Sequence, residues 1–239
     1  MLYLLRKQIT ISLLLILISV YSFGQREINR SGHDFIPYYF GLTFGYSSMN
    51  LLTSKDTRFL QYDSVLTVEP GASGAVTLGL LGTLRLDKHF QMRLAPQLTI
   101  GGSRLFTYTL KYPNVNEAAI VKEPLTSTLF TVPLEFKFNS DRIDNFRVFM
   151  MGGAYTAIDL SSNSNARNAE NLIKLKPNDF GYELGVGFDF YLKFVTLSPE
   201  IKINNGLSNV HSRDPNLKYS NILDKLYTRQ VTFTINIQE

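Results

Sequence analysis

An all-β fold, an eight-stranded antiparallel up-and-down transmembrane β-barrel, is predicted by three features of the sequence. Period-2 alternation recurs eight times after residue 25, the connections are short and long in strict alternation, and the face opposite the large apolar residues carries balanced charge. The 239 residues, 44% hydrophobic, suit one domain of this kind.

The chain divides into a signal peptide over 1–24, a periplasmic amino-terminal segment over 25–37 and the barrel over 38–239. Arg6 and Lys7 precede an apolar run from Ile9 to Tyr21, and Ser22-Phe23-Gly24 offers small residues where a signal peptidase reads. Cleavage is expected before Gln25. The run is short for an uncleaved membrane helix of about 20 residues, and with no cysteine a lipid-modified amino terminus is excluded. Loss of Arg6 and Lys7 takes the formal charge from +4 to +2. No concentrated basic face exists, so nucleic acid is not an expected partner. The absence of cysteine removes disulfides and thiolate metal sites. Tryptophan, usual in interfacial girdles, is also absent, and 13 tyrosines and 17 phenylalanines can take its place.

The first strand sets Tyr38, Phe40, Leu42, Phe44 and Tyr46 against Tyr39, Gly41, Thr43, Gly45 and Ser47. In the second, Val76, Leu78, Leu80, Leu84 and Leu86 oppose Ala75, Thr77, Gly79, Thr83 and Arg85. The third opposes Phe90, Met92, Leu94, Leu98 and Ile100 to Gln91, Arg93, Ala95, Gln97 and Thr99. The fourth runs through Phe130, Val132, Leu134, Phe136 and Phe138, with Thr131, Pro133, Glu135 and Lys137 between them. The fifth, near 145–159, is mixed, with Arg147 and Asp159 on its polar parity. The sixth alternates Phe180 to Phe190 with Gly181, Glu183, Gly185, Gly187 and Asp189. The seventh sets Val195, Leu197, Ile201 and Ile203 against Thr196, Ser198, Glu200, Lys202 and Asn204. The eighth sets Val231, Phe233, Ile235 and Ile237 against Gln230, Thr232, Thr234 and Asn236.

Asp87-Lys88, residues 139–144 and the neighbourhood of Lys193 make short connections. The stretches 51–70, 108–126, 160–178 and 208–226 make long polar ones. Short periplasmic turns and longer external loops are the outer-membrane arrangement, and an even strand count places both termini in the periplasm. A soluble lipocalin-like barrel would put the large apolar face inside. Aromatic residues near strand ends and a small, charge-balanced opposite face favour the inverted arrangement. The expected lumen network comprises Arg85, Arg93, Lys137, Arg147 and Lys202 with Glu135, Asp159, Glu183, Asp189 and Glu200, paired because isolated buried charge costs several kcal/mol. Eight strands leave an interior that side chains fill, so a pore is not expected.

No catalytic, cofactor-binding or metal residues are assigned. His33, His89 and His211 show no metal-ligand spacing. His211-Ser212-Arg213-Asp214 contains hydrolytic residue types but reads as a solvated loop, since sequence neighbours seldom form a triad. Gly185-Val186-Gly187 lacks a third glycine and a following helix. Glu183 and Asp189 lie about 20 Å apart along one strand, too far for paired-carboxylate hydrolysis.

The carboxy-terminal half carries a more specific pattern. It runs through Val132-Pro133-Leu134-Glu135-Phe136-Lys137-Phe138, Ser140, Arg142-Ile143, Asn145-Phe146-Arg147, Gly152-Gly153-Ala154-Tyr155 and Asp159-Leu160. It continues in Asp179 to Glu183, Gly185 to Tyr191, Ser198-Pro199-Glu200-Ile201-Lys202 and Gly206-Leu207. These stretches, about a third of the chain and in register, resemble the PorT (SprT) family of outer-membrane proteins. The resemblance implies a non-enzymatic component of the type IX secretion system, needed for surface protein export and, in some bacteria, gliding motility. Its implied partners are outer-membrane lipid and other secretion proteins, with no small-molecule substrate. The carboxy terminus, Ile235-Asn236-Ile237-Gln238-Glu239, lacks the terminal aromatic that barrel assembly often reads. Val148 and Phe149 stand where the pattern has Pro and Tyr. An alternative is a generic eight-stranded barrel that binds an external ligand or adhesion partner through its long loops. A third reading is a barrel enzyme centred on His211.

Overall fold

The structure is a computed structural model, and it describes residues 27–55, 65–111, 118–162, 173–213, 220 and 223–239. The expected signal peptide lies outside them. A short 3₁₀ helix, η1 (Ser31–Phe35), precedes the strands. These are β1 (Tyr38–Lys55), β2 (Val65–Gly71), β3 (Ser73–Arg85), β4 (Phe90–Leu94), β5 (Gln97–Leu110), β6 (Ile120–Asn139), β7 (Phe146–Asp159), β8 (Asn178–Tyr191), β9 (Thr196–Gly206) and β10 (Leu223–Gln238). Ala72 alone separates β2 from β3, and Ala95-Pro96 alone separate β4 from β5. The ten segments are therefore eight barrel strands. All pairings between them are antiparallel, and β1 joins both β10 and β3, which closes the ring. Along Tyr38–Met49 of β1 and Ser73–Leu84 of β3, closure leaves no open edge to satisfy.

The two interruptions have different causes. Pro96 cannot donate to the ladder, and Pro133 of β6 stands opposite the same gap. The Ala95 N–H reaches the Pro133 carbonyl at 3.3 Å, and the Leu80 N–H reaches the Pro96 carbonyl at 2.9 Å. Two missing donors thus share one break. The other irregularity is a bulge between Thr99 and Gly102, where Gly101 takes φ +83°. Glycine adopts that left-handed conformation at little cost. The extra residue exchanges the faces of β5: Gln97 and Thr99 point inward before it, and Phe106, Tyr108 and Leu110 point inward after it. The break at Ala72 changes the parity of the neighbouring strand too, so that Val68 and Ala75 both face inward.

Large apolar side chains cover the outside. Phe40, Leu42, Phe44 and Tyr46 on β1 are exposed, as are Leu134, Phe136 and Phe138 on β6 and the run from Phe180 to Phe190 on β8. Near the short-turn end they form aromatic contacts, with ring centroids of Phe90 and Phe138 5.0 Å apart and of Phe146 and Phe190 5.3 Å apart. Thr43, Ser47, Thr77, Thr99, Thr131, Ser198, Thr232 and Thr234 are buried inside. Small inward residues let the walls approach. At Gly153 a Cβ would stand 2.1 Å from the Leu134 carbonyl oxygen.

The stretches read as long polar connections are partly strand. β1 continues to Lys55, β2 begins at Val65, β5 ends at Leu110, β6 begins at Ile120 and β10 begins at Leu223. Their inward side chains make an apolar cluster, with Leu51, Val68, Phe106, Tyr108, Leu110, Ile173, Leu175, Val210, Leu223 and Leu226 buried together. In membrane barrels the polar residue usually faces in, but at this end apolar side chains do so. The bulge re-phases β5, the break re-phases β2 and a register shift re-phases β10 at Leu223, whereas Leu51 and Leu226 keep the inward parity of their strands.

Candidate functional site

The interior below the apolar cluster is filled by charge. Arg93 on β4 donates through Nε to Glu135 on β6 and through Nη2 to Glu200 on β9 at 3.0 Å. Lys202 on β9 reaches Glu135 at 3.0 Å and Glu200 at 3.5 Å. Two cations and two carboxylates therefore alternate around a closed circuit that crosses the lumen. The Thr234 hydroxyl, from β10, donates to Glu200 at 2.9 Å. All four charged side chains are at most 2% exposed. Glu183 stands beside the circuit and accepts from the Asn204 amide at 3.0 Å.

A second pair lies nearer the short-turn end. Lys137 binds both oxygens of Asp189, at 2.9 and 2.8 Å, and its ammonium rests 3.7 Å from the centre of the Phe149 ring. The Ser198 hydroxyl adds a 2.6 Å bond to the same carboxylate. The ten expected network residues thus do not form one group. Asp159 stands apart at the long-loop end, where it accepts from Ser127 at 2.6 Å and from Ser161 at 2.8 Å. Asp179, which the sequence reading passed over, does similar work for the Ser208 and Thr228 hydroxyls.

Arg85 and Arg147 are drawn away to the short-turn mouth by a residue outside the barrel strands. Asp34 of η1 lies 3.0 Å from Arg147, 3.5 Å from Arg85 and 3.4 Å from Arg142. Arg30 donates to the Gln238 carbonyl at 3.1 Å and to Thr196 at 3.1 Å. Asn29 bonds the Asn145 side chain through its N–H and the Tyr191 carbonyl through its amide. The amino-terminal segment is therefore a plug across the mouth, a role its sequence does not announce. A left-handed Arg30 and a stretch without alternation give only a boundary signal.

His33 is buried in that plug, 4.8 Å from the Tyr39 ring and 3.2 Å from Arg30. Burial, and then the charges of Arg30 and Arg85, lower its pKa to about 4. His89, in a short turn, donates through Nδ1–H to the Asn139 carbonyl, 3.0 Å away. His211 is not in a solvated loop as its polar neighbours suggest. It is buried, pairs with Leu175 in an isolated bridge, and lies 3.0 Å from the Ser220 hydroxyl. Burial lowers its pKa. Packing against the apolar cluster explains the difference, and Asp214 lies outside the described residues.

Among the described residues, no group of three His, Cys, Asp or Glu side chains is placed to hold a metal ion. Within the barrel, a cavity of about 20 Å³ remains between Thr131, Tyr155, Asp179, Asn204 and Thr228. That is room for about one water.

A closed antiparallel ring, apolar outside and charged within, defines a small transmembrane β-barrel. The chain belongs to the outer membrane protein beta-barrel domain family, whose model matches residues 23–212, and it is an outer-membrane barrel. Comparison with curated proteins gives no match. Solved structures that resemble it include the outer membrane protein OprG from Pseudomonas aeruginosa, at 11% identity, TM-score 0.43, covering 83% of this chain and 94% of that one. Neisserial surface protein A follows at 9% identity, TM-score 0.40, with 83% and 96% covered. Ail, the attachment invasion locus protein of Yersinia pestis, gives 9% identity, TM-score 0.39, and 85% and 100% coverage.

Proposed function

We propose that this barrel is a non-enzymatic component of type IX protein secretion, acting through contacts with other secretion proteins and not through passage of solutes. The observation that carries the reading is the in-register resemblance to the PorT family over residues 130 to 207. Those stretches supply Glu135, Lys137, Arg147, Glu183, Asp189, Glu200 and Lys202, which fill the interior. Their side chains and the apolar cluster leave little room for a solute, which favours a role at the surfaces. His211 and Ser220 are buried against each other, so neither is presented to a substrate. Short turns are the periplasmic ends of outer-membrane barrels, so the plugged mouth faces the periplasm and both termini lie there. Deleting the gene tests the proposal. Surface proteins are expected to accumulate inside the cell, with secretion restored by the wild-type chain. Unimpaired surface export in the deletion strain overturns it.

A further inference from the structure

The plugged mouth holds more positive charge than it neutralises. An open cleft of about 500 Å³ is lined by Arg85, Lys88, Arg142 and Arg147 with Asp34, Asp141 and Phe35. Four cations face two carboxylates. Lys88 is taken up by Asp141 at 2.7 Å, which leaves Asp34 to serve three guanidinium groups. Arg142 spends its remaining donors on the Asp144, Arg30 and Asn29 carbonyls and on Asn145. Arg85 gives Nη1 to the Asp34 main-chain carbonyl as well, but its other donors and two of those of Arg147 are not used in this way. Nε and Nη2 of Arg85, and Nε and Nη1 of Arg147, have no hydrogen-bond partner, although the two side chains are 9% and 4% exposed. A buried charged donor without a partner is costly. Both arginines reach Asp34, and both line the cleft.

We infer that this mouth is an anion-binding docking surface, and that its occupant is an acidic segment of a periplasmic protein, with a carboxylate entering beside Asp34. The guanidinium fork matches a carboxylate in two parallel hydrogen bonds, and Asp34 already shows that these arginines accept that group. Phe35, 87% exposed on the rim, offers an aromatic contact beside the charges. The cleft is lined by η1, by the turns at Lys88 and Asp141 and by the inward Arg85 and Arg147, and by none of the outward apolar side chains of the strands. This arrangement favours a protein segment over a lipid headgroup. The inference rests on the reading of a barrel that works through protein contacts with this end in the periplasm.

The test is fluorescence anisotropy with the full chain in non-ionic detergent micelles, using a labelled hexaglutamate peptide and a labelled hexaglutamine peptide. Hexaglutamate is expected to bind at least tenfold more tightly. Arg85→Gln is expected to reduce that preference several-fold, and Asp34→Asn, which adds one net positive charge to the mouth, to increase it. Lys193→Gln, at a different turn, is expected to leave it unchanged. A heat-shifted band on gels confirms that each variant is folded, and Lys88→Gln, on the exposed rim, replaces Arg85→Gln if that variant does not fold. Equal binding of the two peptides, or a preference that none of the mouth variants moves, overturns the proposal. So does displacement of the peptide by glycerol phosphate at lower concentration than by free glutamate, which would assign the cleft to phosphate. Peptide binding is measured without export. A failed titration with export still dependent on the gene removes this surface and leaves the secretion reading standing.

Discussion

Arg93, Glu135, Glu200 and Lys202 gain from one another only as a set. Each is nearly fully buried, and each touches two partners of opposite sign across the lumen. Removing one member strands a charge that the remaining three cannot neutralise. Lys202→Met leaves two carboxylates sharing Arg93 and is expected to cost about 3–5 kcal/mol, the usual penalty for an uncompensated buried ion. The midpoint of urea unfolding in micelles would report it. Adding Glu200→Met restores the charge balance, so the double variant is expected to be more stable than the sum of the two single losses allows. Additive losses would mean that the four groups are not coupled. His33 makes a second prediction at this scale. Its imidazole titrates near 6.5 when unfolded and at about 4 in the plug. A lowered folded value means that the neutral form stabilises the plug above pH 6.5, and that this contribution is lost as pH falls toward 4. Protease access to residues 29–36 is expected to rise over that window, and His33→Phe to remove the pH dependence. Access that does not change between pH 7.5 and 4.5 contradicts the assignment.

The strands themselves show what local pattern can and cannot reveal. Alternation along 38–47, 130–138 and 180–190 was legible because every second side chain there points inward. The same rule misread 51–55, 65–70, 108–110 and 223–226, where strand continues through stretches rich in polar residues. Gly101 is the reason on β5. A single extra residue reverses every face beyond it, and no window of alternating residues contains that information. Gly101→Val places a β-branched side chain at φ +83° and is expected to cost about 1–3 kcal/mol. It should also loosen the packing of Phe106 and Tyr108, measured as faster exchange of the Thr107 and Tyr108 amides. Unchanged stability would show that β5 can re-phase without it. Charged residues were visible as a balanced set, but their grouping depends on which strands face each other across the ring. Arg93 and Glu135 are direct neighbours in the ladder, whereas Glu200 reaches them from the opposite wall. Sequence separation says nothing about that. Asp34 was missed for a related reason, since its partners are far from it in sequence: Arg85 ends β3, and Arg142 and Arg147 belong to the β6–β7 turn and the start of β7.

At the scale of the whole molecule, the interior is organised along its axis. An apolar cluster closes the long-loop end, a charge circuit occupies the middle, and the η1 segment crosses the short-turn mouth. The larger cluster of buried apolar side chains sits at one end and not, as in a soluble protein, at the centre, because lipid receives the apolar outer surface. Ring closure gives every strand except β2, which pairs with β5 alone, two neighbours, so the fold does without the disulfides that its cysteine-free sequence cannot form. Fractionating cells and running the protein on gels with and without heating tests whether a closed barrel spans the outer membrane with its charges inside. Recovery in the outer-membrane fraction, with an unheated band that migrates faster than the heated one, is the result expected. Recovery in the soluble periplasm, with mobility unaffected by heat, would mean that the apolar face is not in lipid and would contradict the account.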